Sequence, residues 1–312
     1  MLFLILFFYL LVLPINFRRN VDSLAINVSN SELQKHVKYL TELQPARNYK
    51  NVESLHKAST YIEDHFRVYC PEVELQKYLV EQIEYRNVIC KFPGEKSEKI
   101  VIGAHYDVAG EQDGADDNAS GVSGLLELVR LTKEQNYRSA YSLEYVAYTL
   151  EEPPYFRTSS MGSAIHANSL KEVNAQLRLM ISLEMIGYFS DDQDSQHYPL
   201  PFLKLFYPSS GNFISIIGKT DQVSLVYETK KLMSEGSNID VRSFSPPNII
   251  PGMDFSDHLN YWALNYPAIM ITDTAFYRNQ NYHTEEDTLE KLDFNRMSEV
   301  VRGVYWTVTH LN

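Results

Sequence analysis

The chain has 312 residues, of which 44% are hydrophobic and 22% charged, and it carries a net charge of −12. That hydrophobic share supports a sizeable core and excludes a disordered chain. The acidic balance, without any Lys/Arg-rich run, excludes a nucleic-acid surface, which needs a basic stripe to displace counterions.

Residues 1–20 begin MLFLILFFYLLVLPINF, apolar on every helical face and bounded by Pro14, Arg18 and Arg19. The run suits a signal-peptide core of about 7 to 15 residues better than a membrane span of about 20. A signal peptide or membrane anchor is expected here, hence an exported protein that is secreted, periplasmic or attached to a membrane through this segment. A single catalytic domain over 28–312 follows.

Residues 30–45 show helical apolar spacing behind Asn30 or Ser31 as a cap, and a second helix is expected at about 52–68. VELQKYLVEQ and RNVICKF alternate as a β-hairpin at a sheet edge. Cys70 and Cys90, the only cysteines, lie near it with neither the pairing nor the neighbouring histidines of a zinc finger. A disulfide between them is compatible with an oxidising compartment.

Strands at KIVIGAHYD, SLEYVAYTLEE, RLMISLEMIG, NFISIIGK and PAIMITDTA then alternate with helices at 119–135, near 159–170, 221–234 and 257–264, and a last helix begins near 293. This pattern predicts an α/β fold: a mostly parallel mixed central sheet with helices on both faces. The stretch 188–211 reads as a long surface loop; loops of that length in compact domains are usually functional or disordered, and the first reading is preferred because the preceding strand ends on a candidate ligand.

In open α/β sheets, ligands bind beyond the carboxyl ends of the strands. Four expected strand ends carry metal-type residues: His105 and Asp107, then Glu151 and Glu152, then Glu184, and finally His283 in the loop after the last strand. One such residue is ordinarily a cap or a satisfied polar group, but six of them along one edge are hard to explain that way. In GADDNASG (114–121), Asp116, Asp117 and Asn118 either cap the following helix or hold a metal. The flanking small residues suggest a backbone packed tightly around something. Asp107 and Asp287 stand where they could accept the second ring N–H of His105 and His283. Asp257, in SDH, reads as a supporting or capping group, and His258 as a weak ligand candidate.

Taken together, HYD at 105–107, GADDNASG, EE at 151–152, LEMIG at 183–187, SDH at 256–258 and YHTEEDT at 282–288 resemble the zinc aminopeptidase family of di-zinc exopeptidases. Bacterial leucyl aminopeptidases and glutaminyl cyclases share that fold, of the phosphorylase/hydrolase-like type. The resemblance covers about residues 30 to 310. It implies one zinc on His105, Asp117 and Glu184, a second on Asp117, Glu152 and His283, Glu151 as general base, and Asp107 behind the ligands. It also implies a cis peptide between Asp117 and Asn118.

The implied partner is a peptide cleaved at its amino end; the oligomeric state is open. Two alternatives stand beside this reading: a one-zinc acyltransferase of the glutaminyl cyclase kind and a non-catalytic binding ectodomain. Tyr155, Phe156, Tyr188 and Phe189 are candidate walls for a pocket taking a large apolar first residue.

Overall fold

The computed structural model describes residue 17 and residues 19–136, 140–246 and 250–311. The expected leader therefore lies almost wholly outside the described residues, among which no helix is long and apolar enough to cross a membrane.

Helix α1 (Asn30–Thr41) is capped by Ser29, one residue earlier than expected, whose Oγ accepts the amide of Glu32 at 3.2 Å. Leu33, Val37 and Leu40 form its buried stripe. Helix α2 (Val52–Tyr69) buries Leu55, Ala58, Ile62 and Phe66 in the same way. Strands β1 (Glu72–Val80) and β2 (Ile83–Phe92) pair antiparallel through a two-residue turn in which Glu81 and Gln82 both have positive φ. That conformation matches the twist of a tight hairpin. Cys70 at the end of α2 is bonded to Cys90 of β2, with Cα atoms 5.8 Å apart.

The remaining elements are β3 (Lys96–His105), α3 (Gly121–Glu134), β4 (Tyr141–Tyr148), α4 (Gly162–Glu172), β5 (Leu177–Glu184), β6 (Phe213–Ile217), α5 (Val223–Gly236), β7 (Asp240–Phe244), α6 (His258–Ala263), β8 (Ala268–Thr272) and α7 (Phe294–His310). All eight strands form one sheet in the order β1-β2-β4-β3-β5-β8-β6-β7. Its centre, β4-β3-β5-β8, is parallel. The hairpin joins antiparallel at one edge, and β6 with its parallel partner β7 runs antiparallel to β8 at the other. The expected mixed, mostly parallel sheet is thus present. Strand β7 was not expected from DVRSF, a five-residue run with charged residues at two positions.

Alternation along the central strands loads both faces. Ile100, Ile102, Ala104, Leu143, Tyr145, Leu179 and Ile181 face a large core that α1, α2, α3, α5 and α7 cover. Val101, Val146, Tyr148 and Met180 face the smaller core under α4 and α6, built on Ala167, Leu170, Tyr261 and Trp262. With both faces buried, only the strand ends are free to present polar side chains, and the carboxyl ends of β3, β4, β5 and β8 converge on one edge.

Candidate active site

His105 is the last residue of β3, Glu184 the last of β5, and Glu151 and Glu152 lie just beyond β4. Asp117 sits in an irregular helical turn, Ala115–Ser120, that breaks at Asp117 and Asn118, whose φ/ψ values are non-helical; the peptide between them is cis, as expected. His283 comes from the loop after β8.

Asn118 knits the turn to β5. Its Oδ1 accepts the amides of Gly121 and Met185, each at 3.1 Å, and its Nδ2 donates to the carbonyl of Leu183 at 2.8 Å. A Cβ on Gly121 would stand 2.3 Å from Asn118 Oδ1 and 2.6 Å from the Leu183 carbonyl. The small residue is required by that close approach. Asp116 does not act as a helix cap: it accepts from the amide of Gly187 at 3.0 Å and the side chain of Asn279 at 2.9 Å.

Two groups of donors meet at Asp117. His105 Nε2 lies 3.4 Å from Asp117 Oδ1 and 3.3 Å from Glu184 Oε2. His283 Nε2 lies 3.0 Å from Asp117 Oδ2 and 3.2 Å from Glu152 Oε2. Each aspartate oxygen thus faces a different histidine. Glu151 stands farther off, with Oε2 3.9 Å from His105 Nε2. His105 Nε2, Asp117 Oδ1, Glu152 Oε1 and His283 Nε2 are buried and accept or donate no hydrogen bond among the described residues. Four such buried polar atoms on neighbouring side chains are costly unless something else satisfies them.

Tetrahedral zinc with bonds of about 2.0 to 2.1 Å places its ligand atoms about 3.3 Å from one another. The four histidine–carboxylate distances fall near that value, so both donor sets fit the metal. Those two sets are His105, Asp117 and Glu184, and Asp117, Glu152 and His283; a third close group, His105, Glu151 and Glu152, lies beside them but lacks the shared Asp117.

Supporting groups hold these side chains. Asp107 is almost fully buried; its backbone carbonyl lies 3.2 Å from His105 Nδ1, and its two carboxylate oxygens accept the amides of Glu151 and Glu152 at 3.2 and 3.1 Å. Ser256 donates to Glu184 Oε2 at 2.7 Å. Asp287 departs from expectation. Its oxygens accept the amides of Asp116 and Asp117 at 2.9 and 3.0 Å, so it supports the turn instead of the His283 ring. A separation of four residues within a loop does not fix which way the carboxylate turns. The His283 ring instead stacks on Tyr282, with centroids 3.8 Å apart.

Asp257 is buried ahead of α6 without capping it, and neither of its oxygens has a hydrogen-bond partner among the described residues. His258 is turned away, its Nε2 2.9 Å from the carbonyl of Met253.

The electrostatics follow from crowding carboxylates in a dry site. Burial, with repulsion from Glu152 and Glu184 and against the pull of His105, raises Glu151 well above the ordinary carboxylate range. Burial and nearby Asp117 push Glu152 up to about 7, against the pull of His283. Burial alone would lower His283, but Asp117 and Glu152 raise it to about 10.

Beside Glu184 opens an apolar pocket of about 80 Å³ that runs across the sheet face of β8, β6 and β7. Its walls include Leu203, Tyr207, Ile217, Phe244, Met253 and Met270. The hydroxyls of Tyr198, Tyr207 and Tyr277, also in the lining, donate to the carbonyls of Pro208, Ser243 and Pro251. The rings therefore present apolar surface. The walls differ from those expected. Tyr155 packs on Tyr49, Phe156 on Phe255, and Phe189 against Arg278. This pocket is lined instead by the 188–211 stretch, which folds a short helical turn at Pro201–Leu205, and by segments far away in sequence.

The chain resembles known proteins along nearly its whole length. The model of peptidase family M28 matches residues 87–308. The uncharacterized protein YfbL of Escherichia coli is 41% identical, over 97% of this chain and 95% of that protein. A probable leucine aminopeptidase of Trichophyton verrucosum is 25% identical, over 93% of this chain and 75% of its own length. Among solved structures, LapB from Legionella pneumophila matches with a TM-score of 0.73 at 21% identity, over 94% of this chain and 75% of that one, which is a likeness of fold.

Proposed function

Because this chain belongs to peptidase family M28, we propose that it is a di-zinc exopeptidase that removes single residues from the free amino end of peptides. The observation that carries this reading is the sharing of Asp117 between two histidines, one facing each oxygen. His105, Asp117 and Glu184 would hold one zinc, and Asp117, Glu152 and His283 the other. When bound, the pair supplies Lewis acidity for the attacking water and the scissile carbonyl.

Glu151 is the general base. It follows β4 beside the donors yet stands outside both zinc-ligand sets proposed here, and burial raises its carboxyl above the ordinary range, which suits a group that takes and returns protons. It takes a proton from the attacking water and passes it to the leaving amine. The reaction is hydrolysis without a covalent intermediate.

Direction comes from what recognises the substrate terminus. A carboxypeptidase needs a fixed cation for the terminal carboxylate. The two basic residues nearest the site in sequence are both engaged. Arg157 pairs with Asp254 at 2.6 Å, and Arg278 is buried against Gln196 at 2.8 Å and the carbonyl of Tyr188 at 3.2 Å. The surrounding carboxylates suit an ammonium group instead. The apolar pocket beside Glu184 suits a large apolar first side chain.

A cyclase of the one-zinc kind remains the second reading on this fold. The complete set of five donors favours the peptidase, and also counts against a binding ectodomain without catalysis. The Cys70–Cys90 disulfide supports export to an oxidising compartment.

Metal analysis of protein purified without chelators, joined to a peptide panel, tests this function. The expected result is two zinc equivalents and rapid cleavage of free-amine peptides beginning with Leu, Phe or Met. A single ion with cyclisation of amino-terminal glutamine would overturn it in favour of the cyclase. Equal cleavage of acetylated peptides, or release from the carboxyl end, would overturn the direction.

A further inference from the structure

Arg47, between α1 and α2, is 1% exposed, and its guanidinium bonds to backbone carbonyls alone. Nε donates to Tyr106 O at 2.9 Å, Nη1 to Leu40 O at 3.1 Å and to Asp113 O, and Nη2 to Gly114 O at 2.7 Å. Its own carbonyl accepts the amide of Val108 at 3.2 Å. Tyr106 directly follows His105, and Asp113 and Gly114 lead into the turn that carries Asp117. One planar group therefore pins the backbones of two different metal-ligand segments to each other and to the end of α1.

This is an expensive arrangement to keep for packing alone. Burying a guanidinium without a directly bonded carboxylate costs free energy unless surrounding negative charge offsets it. Here the offset comes from the site: burial lowers Arg47 to about 10, while Asp287, Asp117, Asp107 and Asp113 oppose that fall. The turn is shaped to admit the arginine. Gly114 has φ of 60°, and a Cβ there would lie 3.1 Å from Arg47 Nη2 and 2.4 Å from the Asp117 carbonyl.

We infer that Arg47 is a positioning residue for the metal pair, fixing the separation of His105 from Asp117 through the carbonyls of Tyr106, Asp113 and Gly114. The inference rests on the di-zinc reading. Arginine suits the task because its fixed fork offers five donors in one plane, four of which are used here. Lysine keeps the charge but cannot span the three carbonyls.

The test compares zinc affinity in the wild-type protein, Arg47→Lys and Arg47→Met, by competition with a chromophoric chelator, alongside thermal melts of the metal-free proteins. Loss of a group that orients metal ligands typically weakens metal binding by about 10- to 100-fold. Arg47→Met should lose zinc affinity within that range, and Arg47→Lys should lose about ten-fold or more while melting closer to wild type. A role in stability alone predicts lower melting temperatures with unchanged zinc affinity, and that result overturns the inference. If Arg47→Met does not fold, Arg47→Lys decides: wild-type affinity in it refutes the multi-carbonyl clamp. A wild-type protein that takes up no zinc overturns the di-zinc reading itself, and this inference with it.

Discussion

Asp107 Oδ1 accepts the backbone amide of Glu151 at 3.2 Å, while its other oxygen accepts that of Glu152 at 3.1 Å. One buried carboxylate therefore fixes the main chain from which two adjacent glutamates leave in different directions. Substituting either glutamate should leave that backbone anchor in place, so the two variants report on side-chain roles. Glu151→Gln should retain zinc and lose about 10²- to 10⁴-fold in kcat. Glu152→Gln should lose zinc first, with activity following metal content. Metal analysis beside kcat at saturating zinc checks this, and equal metal loss in both variants would contradict the division of labour.

The pocket predicts a change in selectivity. Ile217 lines it and is nearly buried. Ile217→Phe should fill the space that a large first side chain needs. Differences of one or a few methylenes in an apolar pocket are worth about 10- to 200-fold. The kcat/KM for peptides beginning with Phe or Leu should fall by about ten-fold or more, while that for Ala should change little. A uniform fall across all three would place the first side chain elsewhere.

Without metal, the site should make stability depend on pH in a defined direction. Burial raises Asp257, like Glu152, to about 7, against the pull of His105. His283 is raised to about 10. Each of these groups holds its proton more tightly in the folded chain. Their contribution is full below the ordinary carboxylate range for Glu152 and Asp257, and below about 6.5 for His283. It is lost as pH rises toward about 7 and about 10 respectively. Asp117 is lowered and acts oppositely, but only in more acid solution. Burial lowers His36, His65 and His258, which act oppositely below about 6.5, so the metal-free protein should melt progressively lower from about pH 7 to pH 9, where His283 gives up its proton. Zinc, which needs deprotonated ligands, should stabilise increasingly over the same range. Melting curves with and without chelator measure both trends, and a metal-free melting temperature that is flat or rising would refute this account.

The disulfide closes a loop with a sequence separation of 20 residues. Constraining an unfolded loop of that length is worth about 3 kcal/mol in the chain-entropy view. The double variant Cys70→Ser/Cys90→Ser should lose about that much in denaturant unfolding, with zinc content unchanged because the bond ties α2 to β2 away from the site. A stability within about 0.5 kcal/mol of wild type would show that the reduced chain is already constrained there.

The metal-type residues could be read from the sequence because each stands at a strand end or in a short contiguous motif. The sheet positions a strand end whatever the loops do. Asp287 was misread because the direction of a side chain in a loop depends on what lies beneath it, here the amides of Asp116 and Asp117. The pocket walls were misread for a related reason. Ile217, Phe244 and Met270 are brought together by pairing of β8 with β6 and β6 with β7, which local pattern does not encode. Arg47 gave no signal, since an arginine in QPARNY looks like any solvated loop cation until its acceptors are known.

Strand β6 runs against β8, pairing Ser215 with Thr272. The chain leaving β5 at Glu184 can therefore enter β6 from the same edge, and residues 185–212 make their whole excursion without crossing the sheet. That stretch contributes Gln196 to Tyr207 to the pocket while carrying none of the five proposed metal donors. One wall of the pocket is thus carried on a piece of chain separate from the proposed metal donors, while the sheet supplies the floor. A change of length between Gln196 and Tyr207 would therefore reshape that wall while leaving the ends of β3, β4 and β5 in place.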